Sequence, residues 1–258
     1  MQRSLLLAFI LLTIGGTAAT TQQATNDANP LYRAPSIHIG SISVPPIAGA
    51  PFSATALIEN QQPMPDGSVV TTRDVNLIGR DSRGRTHGEN RPWVPDSFKG
   101  MPPPSEAQIY DPQTRINTIY YPATHVATQQ LRPESRSAGN LPQPSGPFIK
   151  VEVLGLTTID NIDVKGTRRT VTIPAQANGT GAAITVVDEY WYSEDLHVNV
   201  ILRHNDPRTG FQTVALSNIK REEPPESFFQ VPPDHKIVDL TPPPGSPATR
   251  GAVAGPIR

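Results

Sequence analysis

From Leu196 onward the chain alternates with a period of two. Leu196, Val198, Val200 and Leu202 occupy one set of positions; His197, Asn199, Ile201 and Arg203 occupy the other. Side chains of a strand point to opposite faces in turn, so this run predicts a strand with one dry face and one wetter face. The strand period also marks Phe52–Ile58, VVTTRDVNLIGRD, IYDPQTRINTIYYP, KVEVLGLTTID, IDVKGTRRTVTIP, AAITVVDEYWY and FQTVALSNIK. Turn signals separate them: Asp66-Gly67, Asp81 to Gly84, Asp111-Pro112, Asp160-Asn161, QANGTG, Ser193 to Asp195 and Asn205 to Gly210. Residues 91–107 and 129–147 read as loops. "DPQT" and "DPRT" recur before strands, as two copies of one hairpin turn. About eight to ten strands with short connections predict antiparallel neighbours. Helical periodicity is confined to roughly one turn near Pro225–Phe229. The expected fold is mainly β: a strongly curved antiparallel sheet, or half-barrel, with little helix.

The amino terminus changes the picture of location. Arg3 precedes an apolar run from Leu5 to Ile14, then Gly15-Gly16 and the small residues Thr17-Ala18-Ala19. That is the layout of a secretory signal, and the run is shorter than the ~20 apolar residues that span a bilayer. The expected organisation is a signal peptide over 1–19, a flexible lead-in over 20–45, a single β domain over 46–239 and a disordered Pro/Gly-rich tail over 240–258. No later segment reads as a transmembrane anchor. The chain has no cysteine, which excludes disulfides, thiolate metal sites and an acylated cysteine anchor. A cysteine-free exported chain fits a bacterial periplasm, so the location expected is periplasmic or extracellular, and Asn178-Gly-Thr180 is a chance glycosylation match. A net charge of −1 without a basic cluster makes the chain a poor binder of nucleic acid or anionic membrane, so no nucleic-acid partner is expected. The 29 prolines and 19 glycines disfavour long helices.

Candidate chemistry is sparse. His87-Gly-Glu89 and His204-Asn-Asp206 set histidine near a carboxylate, as general acid–base chemistry requires, but no nucleophile signature accompanies them. Both read as exposed turn or strand-end histidines. Asp188, Glu189, Glu194, Asp195 and His197 are dense enough to consider for a metal. Asp188 and Glu189 nevertheless point to opposite strand faces, and Glu194-Asp195 sit at a turn. Gly179 and Gly181 make no phosphate cradle, lacking the Gly-Lys-Thr and helix that would follow. No catalytic residue, metal or cofactor is expected. Tyr190, Trp191 and Tyr192 are the candidate ligand-contacting residues. Alternation puts Trp191 on one side of the sheet and both tyrosines on the other, one side being core and the other a wet surface or the wall of a concave pocket. Phe228 and Phe229, beside prolines, are expected to anchor on the core at a sheet edge.

"VEVLG…TTIDNI", "EYWYSEDL", "TVALSNIK" and "PPESFFQVP", spread over 148–233, together resemble the lipoprotein-carrier-like (LolA-like) fold of bacterial envelopes. In that family a Trp-bearing strand leads into a hairpin, a strand ending near "NIK" and a closing proline–phenylalanine segment. The family packs helices across the open side of its sheet, and this chain has little helical sequence to do so. The stretches "RDSRGRT", "GTRRTVTIP", "WYSEDL" and "DPRTG" are similar to those of uncharacterised exported proteins of acidobacterial type. The resemblance implies an exported, monomeric, non-enzymatic envelope protein that binds a lipid or lipopeptide in a concave sheet. The alternative is a structural or protein-interaction domain that binds another envelope protein and no small molecule. A large apolar cavity would point to the first; a filled core with an exposed apolar patch would point to the second.

Overall fold

The computed structural model describes residues 42–132, 146–179 and 181–241. The signal peptide, most of the lead-in, part of the 129–147 loop, Thr180 and the tail from 242 lie outside the described residues. The strands are β1 (Phe52–Pro63), β2 (Val69–Arg80), β3 (Thr86–Asn90), β4 (Val94–Pro95), β5 (Glu106–Asp111), β6 (Ile116–Tyr121) and β7 (Val126–Leu131). They continue as β8 (Ile149–Ile159), β9 (Ile162–Ile173), β10 (Ile184–Ser193), β11 (Val198–Asp206), β12 (Gly210–Lys220) and β13 (Lys236–Asp239). One helical turn, α1 (Ala175–Asn178), joins β9 to β10, and a 3-10 turn at Glu226–Phe229 matches the single turn expected there.

All 13 strands belong to one sheet, more than the sequence pattern suggests, because β3, β4 and β13 are too short to carry a period. The order is β13-β7-β6-β5-β3-β2-β1-β12-β11-β10-β9-β8, with β4 pairing separately to β2. Described neighbours are antiparallel except β13, which runs parallel to β7. The hairpin turns fall where the turn residues stand. Asp160 and Asn161, at φ of 51° and 60°, close β8–β9 in the left-handed conformation that such residues tolerate. The sheet has two ends, β13 and β8, so it is open.

Register shows how strongly it curves and where it is dry. Opposed residues of antiparallel strands share a face. One row therefore runs Asp74, Ile58, Val214, Leu202, Tyr190, Thr167, Val153 across β2, β1, β12, β11, β10, β9 and β8. Its centre is filled: Ile58 and Val214, with Phe52, Val200, Ile78 and Leu196, are completely or almost completely buried. Arg80, at the end of β2, donates from Nη2 to the carbonyl of Leu196 in the β10–β11 turn, 2.7 Å away, although β1, β12 and β11 lie between in the sheet. Only a sheet curled onto this face brings the two together. Ile42 and Val44 pack onto the same core.

Beyond β2 the dry face changes sides. Gly79 opposes His87, which opposes Ile109; Glu89 opposes Ala107, which opposes Tyr120 and then Ala127. This opposite face is covered by Phe228, Phe229 and Val231, forming a second core with Ala107, Ile109, Tyr120 and Ala127. A Cβ on Gly79 would stand 2.7 Å from the carbonyl of Phe52 and 2.9 Å from the Phe228 ring, so glycine lets the cover close. Its latch is ionic. Buried Asp81 accepts from the backbone and Nε of Arg85 at 2.7 and 2.6 Å, and Arg85 grips Glu226 through both terminal nitrogens at 2.7 and 2.6 Å. The Arg85 pair holds Glu226 below the usual carboxylate range. The Arg85 guanidinium also lies 4.8 Å from the centre of the Phe229 ring.

Candidate functional site

Tyr190, Trp191 and Tyr192 alternate along β10, which pairs with β9 in unbroken register, opposite Thr167, Gly166 and Lys165. The bulge in the β10–β11 pairing lies on β11, where Val200 is the extra residue, so the face that carries both tyrosines has buried Leu202 opposite Tyr190 and Asn199 opposite Tyr192. Tyr190 is half-buried in the concave row, and burial first, then Asp188, raises its phenol pKa. Trp191 lies across Gly166 of β9. A Cβ there would be 2.7 and 2.8 Å from the ring carbons Cζ3 and Cη2, and 2.9 Å from Cβ of Leu154 on β8. The indole thus roofs the strand next to the sheet edge.

Both histidine pairs depart from expectation, because the strands run through them. His204 is buried within β11, and its Nδ1 lies 2.7 Å from Asp188 across the β10–β11 pair, not beside Asp206. Arg169 stands 3.9 Å from the other oxygen of Asp188. Asp206 instead accepts from Arg208 at 2.9 and 2.6 Å, and this pairing pulls its carboxyl below the usual range. His87 is buried within β3, its ring centre 4.0 Å from that of Phe228, with Glu89 3.9 Å away. Among the described residues neither imidazole has a hydroxyl within hydrogen-bond reach. The acidic group considered for a metal is dispersed. Asp188 faces His204, Glu189 pairs with Arg168 at 2.6 Å, and Asp195 pairs with Arg221 at 3.0 Å. The residues that do converge are His125, Asp234 and His235, whose ligand atoms all lie within 4.8 Å of one another. Sequence reasoning missed them because only the parallel β7–β13 pairing unites two distant segments.

The other feature without a sequence signature is the β8 edge. β8 pairs with β9 on one side and with no described strand on the other. Val151 is 55% exposed, Val153 71% and Leu156 83%. The first half of β8 carries Lys150 and Glu152, but the stretch Val153–Ile159 holds no charge and no proline, and of the devices that blunt a free edge it has only a bulge. Gly155, at φ 98°, forms a bulge. Two of the clefts among the described residues lie elsewhere. One, of about 460 Å³, is lined on the convex face by Ser53, Thr55, Leu77, Lys220, Pro224 and Phe228. The other, of about 270 Å³, runs between Ile42, Val44, Ile78, Gly88 and Gln108. No described helix is long and apolar enough to cross a membrane.

No known protein family and no curated protein matches the chain. Solved structures do. The MucA/MucB complex of Pseudomonas aeruginosa matches at 12% identity and a TM-score of 0.38, over 74% of this chain and 58% of that one. This chain therefore spans little more than half of that neighbour's length. An uncharacterized conserved protein of Thermus thermophilus matches at 11% identity and a TM-score of 0.37, over 74% and 90%. A LolA superfamily protein of Nitrosomonas europaea matches at 12% and 0.29, over 71% and 91%. The open, strongly curved, mainly antiparallel sheet described above is the architecture the LolA-like resemblance implies. At these scores no role is carried over from any neighbour.

Proposed function

We propose that this protein is a non-enzymatic binding module of the bacterial envelope whose principal ligand is an extended stretch of another polypeptide, added as a strand to β8. One observation carries the reading: an 11-residue edge strand with Val153 and Leu156 largely in water, beside a concave core already filled by its own side chains. Strand addition satisfies the idle backbone groups of such an edge and gives its exposed side chains a dry partner. Covering a valine or leucine side chain contributes roughly 1.5–3 kcal/mol, and each backbone hydrogen bond about 0.5–1.5 kcal/mol. Tyr190, in the same row as Val153, Trp191, which packs from the other face across Gly166 toward Leu154, and Tyr192 lie on β10, two strands inboard of the edge, so they back β8 rather than meet a docked strand. The signal-like amino terminus supports the envelope as the setting.

A second reading is favoured by the convex groove. Its volume of about 460 Å³ and its Leu77, Pro224 and Phe228 lining suit an apolar chain of a lipid or lipopeptide, within the ~300–1,000 Å³ of ordinary ligand sites. Native mass spectrometry of the protein purified from its own envelope separates the two. A retained polypeptide, lost from a Val153→Lys/Leu156→Lys double variant, is expected. A lipid mass alone, retained by the double variant, would replace the first reading with the second. A bare chain in both samples would overturn both.

A further inference from the structure

His125 immediately precedes β7 and His235 immediately precedes β13, the two strands of the parallel pair. The backbone N–H of Lys236 donates to the carbonyl of His125 at 2.8 Å, so the histidines are held side by side where the pair begins. Their ring centres are 5.3 Å apart. Asp234 reaches between them: one carboxylate oxygen lies 2.7 Å from Nδ1 of His125, the other 2.9 Å from Nδ1 of His235. His125 takes a left-handed φ of 51°, uncommon for a residue with a side chain. The His235 side chain is only 3% exposed and packs edge-on to Tyr120, ring centres 5.5 Å apart. Its Nε2 has no hydrogen-bond partner, so the ring's polar engagement is at Nδ1, toward this cluster.

We infer that His125, Asp234 and His235 bind a divalent first-row transition-metal ion, zinc being the natural fit, which fastens β13 to β7. Two imidazole nitrogens and one carboxylate oxygen are a donor set that such ions accept. Calcium and magnesium want more oxygen ligands than one carboxylate supplies. Bonds of ~2.0–2.1 Å set tetrahedral ligand atoms about 3.3 Å apart. The three donors, already within 4.8 Å of one another, reach that by small side-chain rotations. Binding uses the Nδ1 lone pairs, so each neutral imidazole carries its proton on Nε2 in the loaded state. The His125 and Asp234 side chains are 59% and 57% exposed, leaving a fourth position open to water or an incoming ligand. The site lies at the β13 edge and is independent of any docking at β8.

The test is zinc titration of chelator-treated full-length protein against a chromogenic competitor, with cobalt absorption as a probe of the coordination sphere. One ion per chain is expected, with visible bands of four- or five-coordinate cobalt. Slower amide exchange over Lys236–Asp239 is expected on zinc addition. Asp234→Asn and His125→Ala change exposed side chains, so folding should survive, as circular dichroism will verify. Each should weaken zinc binding by more than about 100-fold, exceeding the typical effect of losing a group that merely supports a ligand. His197→Ala should leave it unchanged. Absence of 1:1 binding, or equal affinity in the wild type and both cluster variants, would overturn the site and leave a hydrogen-bonded clasp.

Discussion

Arg80→Met should unravel the rim of the curled sheet. The Arg80 guanidinium is completely buried, and its described hydrogen bonds all go to backbone carbonyls. Nε and Nη2 donate to Ala50 at 2.9 and 2.7 Å, Nη1 to Pro45 at 2.8 Å, and Nη2 also to Leu196 at 2.7 Å. The side chain thus ties the segment before β1 and the β10–β11 turn to the end of β2. Burial pushes its pKa down from the usual arginine value, yet arginine is too basic to lose its proton, so the buried cation is stabilised by these carbonyls and by the Phe52 ring 5.4 Å away. Methionine refills the apolar volume and relieves the burial of a charge, but strands the buried carbonyl of Leu196 and the part-buried carbonyls of Pro45 and Ala50, at roughly 1–3 kcal/mol for each that water does not reach. The net loss should be about 3–5 kcal/mol, a large part of the ~5–15 kcal/mol that holds a domain together. Urea denaturation followed by tryptophan fluorescence should show a much lower midpoint with an unchanged m-value. Arg80→Lys should recover only part, because one ammonium cannot reproduce the planar fork. A loss below about 1 kcal/mol in Arg80→Met would refute the staple, since the stranded acceptors cost more.

Three further outcomes follow from the same structure. Gly166→Ala should cost about 1–3 kcal/mol by overpacking and should shift the Trp191 emission in a Trp93→Phe background; an unchanged spectrum and midpoint would show that the ring does not lie on Gly166. Burial raises the Asp74 pKa, and its Oδ1 has no hydrogen-bond partner, so the native state binds more protons there than the unfolded chain and gains stability as pH falls through the raised value. Asp74→Asn should therefore be more stable than wild type at pH 7, by a margin that shrinks toward about pH 4, the ordinary aspartate range; a margin independent of pH would contradict this. Asp206 has the opposite sign: Arg208 depresses its pKa, so its contribution is present above the unfolded value of about 3.9 and is lost as pH falls through the folded one. Asp206→Asn should be less stable at pH 7 and converge with wild type in acid, as urea midpoints at matched pH will test.

The long strands were legible because each carries the period of one buried face. The alternation from Leu196 to Arg203 becomes a strand with Val198, Val200 and Leu202 inside. Asp66-Gly67 and Asp160-Asn161 turn the chain where their residue types predict. Short strands were not legible, because two to five residues cannot establish a period. The histidines misled for a related reason: His87 and His204 look like turn residues by type, but strand pairing buries them, one against Phe228 and the other against Asp188. Bulges are silent in a period-two reading, so the register change at Trp191/Tyr192 was hidden, as was the move of the dry face from one side of β2 to the other. The His125–Asp234–His235 cluster and the bare β8 edge depend on which strands are neighbours. Long-range pairing creates both.

The central claim, that β8 is a docking edge for polypeptide, is tested most directly by photo-crosslinking in the native envelope. A photoreactive residue replaces Thr157 on β8 in one sample and Ser217 on β12 in another, both exposed positions. One discrete polypeptide adduct is expected from position 157, none from position 217, and loss of the adduct when Val153→Lys is added. Equal labelling from both positions, or lipid alone at position 157, would contradict it.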